Sequence, residues 1–145
     1  QDRLGNIACG VSTSGWAWKY PGRAGDSPII GAGNYCDNRY GGAACTGRGE
    51  LAIRGATAHS IVSGMAHGLT LEESALRALR EVHAMEDDFR GRVSVAALDA
   101  QGRPGGFTSS LPPDGRRPSY VYMSPDMAEP VVADLTVLDT DGARH

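Results

Sequence analysis

The chain reads as an α+β domain in which a mostly antiparallel sheet carries two central helices on one face. Three observations predict this. Short apolar runs with strand character stand towards both ends, two segments of helical periodicity sit next to each other in the middle, and neither a repeat nor a linker divides the chain. Residues 1–145 therefore read as a single domain, and 41% hydrophobic with 21% charged residues is enough for one core.

The elements follow in order. Asp2 to Asn6 reads as a hairpin turn, with Gly5 and Asn6 able to take positive φ, and Ile7 to Val11 as a short apolar strand whose partner would precede Gln1. Trp16 to Ala44 is glycine-rich and aperiodic, which predicts loop and short strand. Glu50 to His67 is predicted helical, with Leu51, Ala58, Ile61, Val62 and Met65 at helical spacing and Gly55 and Gly64 marking close packing. Thr70 to Met85 is a stronger helix. Thr70 and Glu73 form a capping box, and Leu71, Ala75, Leu79 and Val82 make one apolar stripe. Val93 to Leu98 reads as a buried strand, Asp99 to Gly106 as a polar turn, and Phe107 to Ser110 as a short strand. Leu111 to Pro118 reads as a loop, Tyr120 to Met123 and Val131 to Leu138 as the last strands, and Asp139 to His145 as a polar end that frays.

Charge and composition narrow the function. A net charge of -3, with 14 lysines and arginines scattered along the chain, gives no basic stripe for nucleic acid. No apolar run approaches the roughly 18 residues a membrane helix requires, so no membrane partner is expected. Cys9, Cys36 and Cys45 are odd in number and share no C-x-x-C spacing. They read as buried free thiols, which favours a cytoplasmic setting over a disulfide pair. His59 and His67 lie two helical turns apart with no third ligand in register, so neither a metal nor a cofactor is expected.

Three glycine motifs fall short of known fingerprints. Gly31 to Cys36 starts like a dinucleotide loop but lacks its third glycine, and Gly10 to Gly15 is one residue too long for a nucleophile elbow. Thr46 to Glu50 lacks the lysine of a phosphate loop, and the helix start after it suits a small anionic or polar group. Asp87-Asp88 and Arg116-Arg117 read as solvated surface, and Trp16 and Trp18 equally as core or pocket wall.

The run from Ser12 to Glu50 has the character of a small-molecule site, because it sets Thr13, Arg23, Asp26 and the Thr46-Gly47 pair among glycines where backbone can approach a ligand. Arg23 and Asp26, three residues apart, either bind the carboxylate and ammonium of an amino acid or pair with each other.

Three blocks carry a resemblance. STSG at Ser12 to Gly15, GRAGDSPIIGAG at Gly22 to Gly33 and CTGRGE at Cys45 to Glu50 resemble the β-subunit of glycosylasparaginase and its relatives, the isoaspartyl peptidases and plant-type L-asparaginases. These are N-terminal-nucleophile hydrolases, and the similarity in order and spacing covers Asp2 to Met85. The resemblance implies a four-layer αββα sandwich of which this chain is one part. The rest would come from an α-subunit cut from the same precursor, in an (αβ)2 heterotetramer. It also implies an amidohydrolase that cleaves the side-chain amide of N-acetylglucosaminyl-asparagine, with an N-terminal threonine attacking and its own α-amino group as base.

By the same resemblance, Thr13 supports that nucleophile, Arg23 holds the substrate α-carboxylate and Asp26 its α-amino group. Thr46, through its hydroxyl, and Gly47, through its N–H, form the oxyanion hole. Counted back from Ile7 and Gly10, the attacking threonine falls roughly six residues before Gln1, so the 145-residue chain by itself is expected not to hydrolyse substrate. The WKYPGRAGDSP segment looks closer to the glycosylasparaginase branch, with isoaspartyl peptidase/L-asparaginase as the alternative. A non-catalytic pseudoenzyme or binding fragment is the alternative from another class, and the residue upstream of Gln1 discriminates the two.

Overall fold

Alternation along two neighbouring strands decides how the sheet faces. In the computed structural model, which describes residues 1–89 and 91–138, β2 (Gly41–Gly47) pairs antiparallel with β3 (Val93–Asp99), Thr46 opposite Ser94 and Cys45 opposite Val95. Because side chains alternate, Ala43, Cys45, Val93, Val95 and Ala97 point to one side and join a buried cluster. Ala44, Thr46, Ser94 and Ala96 point to the other.

The remaining strands complete a five-stranded sheet in the order β1-β2-β3-β4-β7. Here β1 is Asn34–Asp37, β4 is Pro104–Thr108 and β7 is Thr136–Val137; the β4–β7 pair is parallel and the others antiparallel. Strands β5 (Ser119–Tyr122) and β6 (Val131–Asp134) form a separate antiparallel pair. Tyr120 and Leu135 lie against the outer side of Gly106 in β4.

Helices α1 (Gly49–Arg54), α2 (Thr57–Ala66) and α3 (Leu71–His83) cover the buried face. Ile61, Val62, Leu79 and Val82 fill the space between them and the sheet, each at most 2% exposed. The mixed architecture with one helix-covered, mostly antiparallel sheet agrees with the α+β expectation, although the helices number three among the described residues. One predicted helix is broken: Gly55 ends α1, and Ala56 takes a left-handed conformation (φ 41°, ψ 48°) before α2 begins. The break is stabilised from outside, since the Ala58 and His59 N–H groups at the start of α2 donate to the carbonyls of Ala32 and Gly31. The 22–33 loop is thereby anchored to a helix. The capping box on α3 forms as the sequence indicates, with Thr70 Oγ1 accepting from the Glu73 N–H and the Glu73 carboxylate accepting from the Thr70 N–H.

Several expectations need correction. The turn at Asp2 to Asn6 exists, with Gly5 at φ 86°, but Asn6 does not take positive φ and Ile7 to Val11 is not a strand. Side chains take its backbone groups instead, Asn38 Oδ1 accepting from the Ile7 N–H and Cys36 Sγ donating to the Ile7 carbonyl. The glycine-rich stretch contains β1 and the start of β2, a hairpin whose glycines and alanines hid it. Strand β4 begins at Pro104, inside the predicted turn. The Val131–Leu138 strand is two, interrupted where the Leu135 N–H turns to the Pro118 carbonyl. All three cysteines are free thiols, yet only Cys45 is buried. Asp139 to His145 lies outside the described residues.

Candidate active site

Strand β2 carries Cys45, Thr46 and Gly47 to the edge of a cleft of about 260 Å³, and the segment before β1 wraps round to close it. Thr13, Arg23, Asp26, Thr46 and Gly47, distant in sequence, all line this one cleft, with Trp16 and Cys45. The end of β2 can open here because β1 stops short of it. The Cys45 N–H donates to the Gly33 carbonyl, and the Arg48 N–H donates on the opposite side to Arg92. By antiparallel alternation, the Gly47 N–H turns to the same side as that of Cys45, where β1 has already ended. Gly47 sits at φ 117°, and a Cβ there would run into the Arg92 carbonyl, so only glycine fits. Thr46 is exposed on the outer face of the sheet.

Asp26 is the buried acid of the site, 6% exposed. Its backbone N–H lies so close to α1 that a Cβ on Gly49 would approach it to 2.8 Å. Its Oδ2 is buried and has no hydrogen-bond partner among the described residues. Burial pushes its pKa above the usual carboxylate value, partly countered by a backbone hydrogen bond and by the nearby charge of Arg23. Thr13 is exposed, and its Oγ1 accepts from the Gly15 N–H at 3.0 Å.

Arg23 and Asp26 do not pair with each other. The guanidinium instead engages Glu50 by two parallel bonds, Nε to Oε1 at 2.9 Å and Nη2 to Oε2 at 2.8 Å. Hydrogen bonding to Arg23 holds the Glu50 carboxyl down to about 2. Arg48 adds a second cation, its Nη1 3.1 Å from Glu50 Oε2. The Arg48 guanidinium lies in the corner made by the Trp16 and Phe89 rings, which meet edge to face; it is 4.8 and 4.5 Å from their centroids, and its Nε bonds Asp87 Oδ1 at 3.1 Å.

This network was not read from the sequence, although Glu50 and Arg48 stand inside the CTGRGE block. Asp87 is not solvated surface: its other oxygen accepts from the Gly91 N–H, while Asp88 is exposed as expected. Trp16 is pocket wall at 38% exposure, whereas Trp18 is fully exposed and neither core nor wall. Burial pushes the pKa of the Cys45 thiol far up, which favours its protonated form beside the cleft. Among the described residues no group of three His, Cys, Asp or Glu could hold a metal ion, and no helix is long and apolar enough to cross a membrane.

Comparison with known proteins bears on the family of the chain. Residues 1–110 match the family model described as asparaginase. The chain is 39% identical over 137 residues to the probable isoaspartyl peptidase/L-asparaginase 3 of Arabidopsis thaliana, covering 94% of this chain and 36% of the relative. It is 38% identical over 112 residues to the N(4)-(β-N-acetylglucosaminyl)-L-asparaginase of Elizabethkingia miricola, covering 73% of this chain and 33% of the relative. It is 43% identical over 82 residues to the isoaspartyl peptidase of Salmonella typhimurium, covering 56% and 26%. The chain thus spans about a third or less of the length of these relatives. With the match to residues 1–110, this similarity establishes that the chain belongs to the asparaginase family, the N-terminal-nucleophile hydrolases that its three sequence blocks resemble.

Proposed function

We propose that the cleft binds an L-aspartyl head group and forms the binding and oxyanion half of an amidohydrolase acting on its side-chain amide. The observation that carries this reading is the pairing of an unpartnered buried carboxylate oxygen on Asp26 with a guanidinium whose outer edge is free of its Glu50 partner. A guanidinium presents two edges. Glu50 occupies the edge made by Nε and Nη2, which leaves the edge made by Nη1 and Nη2 for an α-carboxylate. Asp26 Oδ2 would take the α-ammonium, regaining the hydrogen bond that burial denies it.

The chemistry then follows from the end of β2. An N-terminal threonine upstream of Gln1 attacks the amide carbon, its proton passing to its own α-amino group and on to the leaving nitrogen. The Thr46 hydroxyl and Gly47 N–H stabilise the negative oxygen of the tetrahedral intermediate, and water hydrolyses the resulting ester to release aspartate. Thr13, at the mouth, supports the attacking hydroxyl. The α-subunit of the same precursor would supply the remaining layers of an αββα sandwich, in an (αβ)2 assembly.

For the leaving group, the WKYPGRAGDSP segment favours N-acetylglucosaminyl-asparagine. The similarity over 94% of the chain to a relative named as an isoaspartyl peptidase/L-asparaginase favours a second reading, with β-aspartyl peptides or L-asparagine as substrate. Kinetics of the complete protein on all three substrates separates them. Under either reading, Arg23→Ala lowers kcat/KM by about tenfold or more on every one, as expected for a lost charge-assisted hydrogen bond of roughly 1.5–3 kcal/mol. Unchanged kcat/KM in that variant would remove Arg23 from the site.

A further inference from the structure

We infer that Glu50 is a positioning residue for substrate recognition, and that Arg48, packed in the corner of the Trp16 and Phe89 rings, holds Glu50 in turn through the same oxygen that Arg23 Nη2 bonds. The inference rests on the reading of Arg23 as the α-carboxylate site. Glu50 does not line the cleft, so it acts on the substrate only through Arg23. A free arginine side chain has many rotamers and loses much of that freedom when it binds. Two hydrogen bonds to one carboxylate set the plane of the guanidinium before substrate arrives and leave the Nη1 and Nη2 edge of this cleft-lining residue clear of Glu50.

The support continues outward as alternating charge. Arg48 bonds both Glu50 and Asp87, and Asp87 is tied to the Gly91 N–H, so the α3–β3 connection braces the cleft wall. The Arg48 side chain is 12% exposed and that of Asp87 10%, which protects this outer pair from solvent screening better than a surface bridge. Two opposing effects act on the α-carboxylate. The negative charge of Glu50 weakens the pull of Arg23, while the fixed geometry strengthens recognition. The bidentate fit makes geometry dominant, and a shortened acid tells them apart because it keeps the charge and loses the reach.

The test uses the complete protein, with L-aspartate and β-alanine as competitive inhibitors, because β-alanine is aspartate without its α-carboxylate. Glu50→Asp and Glu50→Gln should each raise the inhibition constant of L-aspartate about tenfold, with β-alanine changed less than about twofold. Arg48→Met should shift the L-aspartate constant in the same direction, by about threefold, and it carries the test if a Glu50 variant does not fold. Glu50→Asp behaving as wild type, or equal weakening of both inhibitors, would overturn the inference, the first leaving a role for charge alone and the second a merely structural one. Arg23→Ala in the same assay keeps the two readings apart. If it leaves L-aspartate binding intact, the assignment of Arg23 fails; if it weakens binding while the Glu50 and Arg48 variants do not, only the positioning role fails.

Discussion

Asp26 and Glu50 are two carboxylates near one arginine with opposite fates. Glu50 takes the direct hydrogen bonds of Arg23 and stays ionised down to about pH 2, so its contribution to stability is present above the ordinary value of 4.5 and lost as pH falls through 2. Asp26 is buried without a partner for Oδ2, and its pKa is raised. The sign therefore reverses. The folded state holds the Asp26 proton more tightly than the unfolded chain, so its contribution is present below the ordinary value of 3.8 and lost as pH rises through the raised one. Asp26→Asn should accordingly gain stability relative to wild type as pH rises above the ordinary value of 3.8 while losing substrate binding, measured by urea unfolding at a series of pH values. A difference that is flat, or that falls with pH, would contradict the burial argument. Arg23 and Asp26 could be picked out from sequence by their charges among glycines. That Arg23 engages Glu50 rather than Asp26 could not, because Glu50 lies 27 residues from Arg23 and only the fold joins them.

Among the elements, the helices were legible where local chemistry decides and misread where tertiary contacts do. The α3 start was fixed by Thr70 and Glu73 alone. The α1–α2 break was not, because Ala56 is a good helix former that the fold forces into the left-handed region while loop carbonyls cap the next helix. A left-handed alanine costs roughly 1–2 kcal/mol, and the extra unfolded-state freedom of glycine offsets roughly 0.5–1 kcal/mol of that. Ala56→Gly should therefore stabilise the protein by about 0.5–1 kcal/mol, seen as a higher denaturation midpoint at unchanged slope. Destabilisation would mean that the alanine methyl is doing packing work the strain argument omits. The β1–β2 hairpin was missed for a related reason: Gly41, Gly42, Ala43 and Ala44 have poor strand propensity, and only their pairing with β1 and β3 makes them a strand.

At the scale of the whole molecule, the described residues cover the sheet fully on one face only. Helices bury Cys45, Val93 and Val95, whereas Thr46 and Ala96 are exposed on the other face and the β5–β6 pair reaches only as far as β4. An α+β layering was readable from the order of strands and helices. The run that lines the cleft was readable from polar groups set among glycines between Ser12 and Glu50, and three short blocks with a family resemblance sharpened it, whereas composition and periodicity say nothing about which loops meet at a strand end. What the fold contributes is convergence: the chain before β1 and the end of β2 bring the Arg23 guanidinium, the buried Asp26 carboxyl, Thr46 and Gly47 around one small volume. The most direct measurement of that claim is a crystal structure of the complete protein with L-aspartate bound. The α-carboxylate should lie on the Nη1 and Nη2 edge of Arg23, the ammonium within hydrogen-bonding distance of Asp26 Oδ2, and the side-chain carboxylate at Thr46 Oγ1 and the Gly47 N–H. Aspartate bound in reverse, with its side-chain carboxylate on Arg23, or bound outside the cleft, would contradict it.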